Sequence, residues 1–363
     1  MRIAVLGGGN GSFAAAADMA EAGHEVRMWR RASRAVAELG ATRGIIRLKD
    51  YQGERGVQLA MATKDVATAM DGAELVICPT PAFAHGEIAT LAAPHWQDGQ
   101  VCFLPPGSFG SIIFARAKHD AGNTAATAFA ETGTLPWLAR KHGPLEIAIT
   151  TRAKHLPVGV FPAQSADAAM AVLDRAFPGV IRPCGDALSG ALMNGGPIIH
   201  PPLIMMNAGP LEHFPAWDIH KEGTQPSIRR VTTALDAERI AIREALGYGP
   251  PHFPLADHYA SSGPEWMYGR GSHEKLTNSG DWREHIILTE HRYMMEDTRI
   301  GLSLLVSLGI LAGVRMPMAR AFLAIGSAIT GQDFMTTGRT LDDLGLGGMD
   351  VGQLQHFLHS GFA

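Results

Sequence analysis

The feature that limits the fold most is a short apolar run that stops abruptly in glycines. Residues 2–6 read RIAVL and residues 7–12 read GGGNGS. Five residues, four of them apolar, are strand length, and the alanine-rich stretch 13–21 that follows, stopped at Gly23, reads as a helix with a glycine end. A second strand-like run occupies 24–29. Strand, glycine turn, helix and strand within about thirty residues make a βαβ unit, the building block of a doubly wound parallel sheet. The G-x-G-x-x-G spacing is met at Gly7 and Gly9, while its third place holds Ser12, still small enough to keep helix and strand close. Gly7 makes the turn and Gly9 lets backbone approach a pyrophosphate. The helix start around Asn10, Gly11 and Ser12 supplies N–H donors. Dinucleotide binding is the expectation.

Further apolar runs at 75–79, 101–104, 125–129 and 146–150 alternate with helix-like pieces at 83–92 and 112–119, which predicts a mostly parallel sheet with helices on both faces. Ligands bind at the carboxyl ends of such strands, so Thr80 and Pro81, and the PPGSFG turn at 105–110, belong near the cofactor. From residue 186 onward the alternation ends. Helix-period segments take over at 227–246, 282–295, 298–312 and 317–330. The expected organisation is α/β plus all-α: residues 1–185 as the nucleotide-binding domain and 186–363 as an α-helical substrate and catalytic domain.

Composition narrows the partners. Charged residues are 18% of the chain, below the usual ~25%, so much surface is buried, and a subunit contact, hence a homodimer, fits. The formal charge of −4 gives no bias toward nucleic acid or membrane. The apolar run 300–314 is too short to span a bilayer, and the opening run passes into glycines without the pattern of a secretory leader. Cys78, Cys102 and Cys184 form no CxxC pair, so a reducing, cytoplasmic setting is expected. The histidine pairs 252/258 and 356/359 lack metal-site spacing, and no metal is expected.

The second strand ends MWRR, placing Arg30 and Arg31 where an NAD-binding unit carries an acid, with Arg34 one turn on. Cations there suit the 2′-phosphate of NADP, so NADP is expected, with NAD the alternative. In the second half, residues 194–209 read NGGPIIHPPLIMMNAG, an apolar stretch with a single titratable side chain, His200. Pro201 and Pro202 suit the first turn of a helix, which predicts a helix over 201–208, a C-cap at Gly209 and His200 at the N-terminal edge. Such a histidine is a proton carrier in waiting or a satisfied core residue. HRYMMED at 291–297 supplies complementary groups: Arg292 for a substrate carboxylate and Asp297 to hold the imidazole tautomer. Plainer roles stand beside these, an i,i+4 ion pair of Arg292 with Glu296 and an N-cap by Asp297.

Taken together, GGGNG at Gly7–Gly11, His200–Pro201, Asn207–Gly209, EGTQPSIRRVTTALDAER at Glu222–Arg239 and HRYMMED resemble the opine (octopine/nopaline-type) dehydrogenases over nearly the full length. The resemblance implies a Rossmann domain followed by an α-helical domain, and NAD(P)H-dependent condensation of a 2-oxo acid with the amine of an amino acid through an imine. It also implies acid/base work for His200, orientation by Asp297, carboxylate binding by Arg292 and a substrate or nicotinamide contact for Asn194. Two rivals remain at this point. One is an NADP-linked 2-hydroxy-acid or polyol-phosphate dehydrogenase, for which Lys221 and Lys275 offer no good acid. The other is a non-enzymatic nicotinamide sensor.

Overall fold

The computed structural model describes residues 1–260, 262, 263, 265 and 267–362. They divide into two compact units, Met1–Ala191 together with the stretch from Phe357 onward, and Leu192–His356. The division thus falls a few residues beyond 186, because the short helix Ala187–Ala191 packs back on the first unit: a Cβ on Gly190 would lie 2.8 Å from the backbone of Gly159.

In the first unit the strands are β1 (Arg2–Leu6), β2 (Glu25–Trp29), β3 (Ile45–Asp50), β4 (Gly53–Gln58), β5 (Met61–Thr63), β6 (Leu75–Ile77), β7 (Val101–Leu104), β8 (Ala128–Thr132), β9 (Trp137–Gly143), β10 (Glu146–Arg152), β11 (Leu156–Phe161) and β12 (Ile181–Asp186). Eight of them form one sheet in the order β12-β11-β8-β7-β6-β1-β2-β5, parallel except where β11 runs against β8. This is a Rossmann-type sheet. Ile3–Leu6, Leu75–Ile77 and Cys102–Leu104 are fully buried, as expected of strands covered on both faces. The order reverses at β1, with β6 on one side and β2 on the other, and ligands sit at the carboxyl ends of such a switch point. Helix α1 (Asn10–Glu21) leaves β1 there; its buried Ala14–Ala17 carry side chains short enough for close packing on the sheet.

The β8 strand begins three residues later than the apolar run predicts, and β10 belongs to a different sheet altogether. β4, β3, β10 and β9 form a separate four-stranded sheet. In β3, buried Ile46 and Leu48 alternate with outward Arg47 and Lys49, a half-buried strand whose charged face hides it from an apolar-run reading. Arg152 pins this sheet to α1, donating to Asp18 at 2.6 Å and to Asp50 at 2.8 Å. Trp137 donates to the same Asp18 at 2.7 Å. Hydrogen bonds from Arg55 hold the Asp50 carboxyl well below the usual carboxylate range, aided by Gln52 N–H and Arg152.

The second unit is helical. Its longest helix, Pro226–Ala245, buries Asp236, Glu238, Arg239 and Arg243. Each buried charge is satisfied locally: Arg239 donates to Asp236 at 2.6 Å and to Leu192 O at 2.9 Å, and Glu238 accepts from Met318 and Ala319 N–H at the start of the helix Pro317–Thr330. The helix expected over 282–295 is absent from 282–291, where only the two-residue strand Arg283–Glu284 pairs with Trp217–Asp218. That expected over 298–312 starts earlier, as a π-helical segment Tyr293–Leu302, before becoming the α-helix Ser303–Leu311. No helix among the described residues is long and apolar enough to cross a membrane.

Candidate active site

The glycine turn is built for a close approach. Gly7 has φ +128°, and a Cβ there would lie 2.6 Å from Ser12 Oγ and 2.7 Å from Thr80 Cγ2, so only glycine fits on both counts. Gly9, the N-cap residue of α1, has nothing within 4 Å of its missing Cβ. Gly11 is closed in by Leu135 and Pro79. No side chain caps α1; Asn10 instead accepts from Lys141 N–H at 3.0 Å, leaving the first-turn N–H groups to a ligand. Ser12 is fully buried and its hydroxyl has no hydrogen-bond partner among the described residues, an orphan at the floor of the turn. Thr80 backs the turn from the end of β6 while its carbonyl bonds His85 Nε2 at 3.1 Å, and Pro81 opens the short turn Ala82–Ala84. An open glycine, free helix N–H groups and an unsatisfied buried hydroxyl fit a pyrophosphate.

The arginines after β2 divide. Arg30 lies against the turn, its guanidinium 5.1 Å from the Phe13 ring centroid. Arg31 instead pairs with Glu87 at 2.7 Å on an exposed surface, and Arg34 pairs with Glu38 at 2.9 Å.

In the second unit His200 and Asp297, ninety-seven positions apart, meet: His200 Nδ1 donates to Asp297 Oδ2 at 2.8 Å. Only 15% of the histidine side chain and 10% of the aspartate side chain are exposed. The local structure differs from the expectation. The helix runs Gly196–Met205, with Pro197 in its first turn and Pro201 and Pro202 inside, and the next helix, Ala208–His213, takes in Gly209. His200 therefore sits in the fifth position, not at the edge. The two inner prolines cannot donate to the carbonyls of Pro197 and Ile198. It is the Asp297 carboxylate that lies at the helix start, since a Cβ on Gly196 would fall 2.3 Å from its Oδ1. Asn194 shapes that start by accepting from Gly196 N–H at 2.9 Å. A second close approach, Gly301 against Pro197, lets the two helices come together.

The π-helical segment explains how one stretch delivers two groups. In an α-helix residues five apart point about 140° away from each other. The wider i→i+5 winding over Tyr293–Leu302 turns such residues toward one side, and Arg292 and Asp297 interact electrostatically there. Desolvation opposes the charge on Arg292, but Tyr293, Glu296 and Asp297 more than restore it, and the side chain keeps exposed surface. Burial pushes the Asp297 carboxyl up, to about 7, against the downward pull of Arg292. Tyr293, which sequence reasoning passed over, is fully buried and stacks on His200 with centroids 3.8 Å apart and planes 18° from parallel. Ring below and carboxylate at Nδ1 fix the imidazole. The only sequence signal for this is an aromatic one residue past the arginine. No group of three or more His, Cys, Asp or Glu among the described residues is placed to hold a metal.

Known proteins match each unit. The family described as NAD/NADP octopine/nopaline dehydrogenase, alpha-helical domain, matches residues 183–330. That of the NAD-dependent glycerol-3-phosphate dehydrogenase N-terminus matches 2–120. An opine dehydrogenase of Arthrobacter sp. is 28% identical over 353 residues, 95% of each chain. A vitopine synthase of Allorhizobium ampelinum is 26% identical over 368 residues, 96% of each. A solved octopine dehydrogenase in complex with NADH and agmatine shares the fold, with TM-score 0.73 at 18% identity, covering 100% of this chain and 99% of that one. The helical domain is the discriminating part, because the nucleotide-binding half is common to several dehydrogenases. In that domain, and along almost its whole length, the chain is similar to the opine dehydrogenases.

Proposed function

We propose that this enzyme reductively condenses a 2-oxo acid with the amino group of an amino acid, giving a secondary amine. The observation that carries the reading is the His200–Asp297 bond at 2.8 Å, with a charged arginine five residues before the aspartate. Arg292 binds the oxo-acid carboxylate through two parallel N–H bonds. His200 takes a proton from the incoming ammonium, freeing the amine to attack the carbonyl, and returns it as water leaves the carbinolamine to give the imine. Asp297 holds the tautomer throughout, and Asn194 fixes the loop at the carboxylate. NAD(P)H, held by Gly7, Gly9, Asn10, Gly11, Ser12, Thr80 and Pro81, supplies the hydride. Arg30 favours NADP over NAD, whereas the charge of Arg31 is engaged by Glu87.

A cytoplasmic setting is supported by three thiols that form no disulfide, and a homodimer by the low charge content. The test is NADPH oxidation in a grid of 2-oxo acids crossed with amino acids. Consumption that needs both partners is expected. Consumption with oxo acid alone points to a hydroxy-acid dehydrogenase, and none anywhere in the grid overturns the reading.

A further inference from the structure

Two cations from different sheets converge on one buried ring beside the glycine turn. Arg30, at the end of β2, lies over Gly8 so closely that a Cβ there would fall 2.5 Å from its Cζ and Nε. The same guanidinium faces the Phe13 ring. Lys141, from β9 of the smaller sheet, sets its Nζ 3.5 Å from the centroid of that ring. Both side chains are half-buried, and neither has an ion-pair partner among the described residues. The position of Lys141 is enforced: its own N–H is held by Asn10 at 3.0 Å, and Arg152 and Trp137 lock the strand pair to α1 through Asp18. Arg31 and Arg34, by contrast, already have carboxylates.

Like charges crowded together are costly, Glu38 offsets the cost only in part, and a dianion between them removes it. Burial first and Arg30 second depress the Lys141 ammonium to about 8, with Glu38 pulling the other way; burial likewise lowers Arg30. In a glycine-turn unit the group that reaches the end of β2 is the adenosine ribose. We propose that Lys141, acting with Arg30, forms the subsite for the 2′-phosphate of NADP and is the residue that sets the preference for NADP over NAD. This rests on the reading of the first unit as the nicotinamide-nucleotide site. Lys141 came from outside the βαβ unit, which is why the spacing rule for cofactor choice does not reach it.

The test is equilibrium binding by calorimetry of NADPH, NADH, 2′,5′-ADP and 5′-ADP to wild type, Lys141→Met and Lys141→Arg. Methionine keeps the apolar stem over Phe13, so the fold is retained. Wild type is expected to bind NADPH at least tenfold tighter than NADH. In Lys141→Met, Kd for NADPH and 2′,5′-ADP rises about tenfold, while NADH and 5′-ADP stay within twofold; Lys141→Arg recovers most of the loss. At pH 8.5 wild type takes up a fraction of a proton on binding 2′,5′-ADP, because the phosphate restores the lysine charge, and Lys141→Met takes up none. Equal weakening of NADPH and NADH, or no weakening of either, overturns the assignment. So does a wild type that binds the two dinucleotides equally, which leaves the proposed function standing. A wild type that binds neither overturns both.

Discussion

Replacing Gly196 with alanine adds one carbon at the start of the helix that carries His200, and it separates the geometry of the proton carrier from the fold around it. The new Cβ would stand 2.3 Å from Asp297 Oδ1 and 3.1 Å from Asn194 Oδ1, whereas ordinary contact begins near 3.4 Å. The carboxylate must retreat by about 1 Å, and the 2.8 Å bond to His200 opens beyond hydrogen-bond range. A hydrogen bond to a charged group contributes about 1.5–3 kcal/mol, which corresponds to a fall in kcat of roughly 10- to 150-fold. Losing that bond also lowers stability by about 1.5–3 kcal/mol, offset in part because alanine is the better helix former by up to about 1 kcal/mol. The assay is kcat and KM at saturating NADPH, with the melting temperature and NADPH Kd measured in parallel. NADPH affinity should stay within twofold, because the nucleotide-holding residues lie in the first unit. Gly209→Ala, at a helical glycine with nothing within 4 Å of its missing Cβ, is the matched control and should be neutral. A Gly196→Ala enzyme that folds normally and turns over within threefold of wild type would refute the claim that carboxylate placement matters.

His200→Gln should abolish turnover by several orders of magnitude while NADPH binding, read by fluorescence, is unchanged. Arg292→Met should raise KM for the oxo acid roughly 10- to 150-fold, the worth of a lost charge-assisted bond, and Arg292→Lys should recover only part because it lacks the planar fork. The Asp297 carboxyl, pushed up to about 7 by burial, must be ionised to accept from Nδ1–H. kcat/KM should therefore fall as pH drops through about 7, a limb belonging to the His200–Asp297 pair, and Asp297→Asn should lower the plateau and shift that limb.

Much of this was readable from residue spacing, and the failures have physical causes. RIAVL running into GGGNGS announces β1, the turn and α1 because burial on both faces, a positive φ and a glycine stop each leave a mark in the chain. The smaller sheet leaves almost none: β3 and β4 carry Arg47, Lys49 and Glu54 on their open face, and β3 finds its second partner, β10, some hundred residues away. The pairing of His200 with Asp297 was inferable from residue type, but not the winding that permits it, since a π-turn has no sequence period of its own and an apolar run reads as α-helix either way. Two successive prolines suggested a helix start at 201. Packing of Pro197 on Gly301 instead begins the helix at Gly196 and carries both prolines inside it. Tyr293 and Lys141 were invisible for one reason: each matters through what it stacks on, and stacking partners are set by tertiary contact alone.

The most direct measurement follows the hydride itself. Incubate the enzyme with NADPH deuterated at the transferring C4 position, a 2-oxo acid and an amino acid, and determine the mass of the product. A secondary amine with the combined mass of both substrates, less water, plus one deuterium and one proton, with the label on the former carbonyl carbon, is the predicted result. A deuterated 2-hydroxy acid recovered beside untouched amino acid would contradict it.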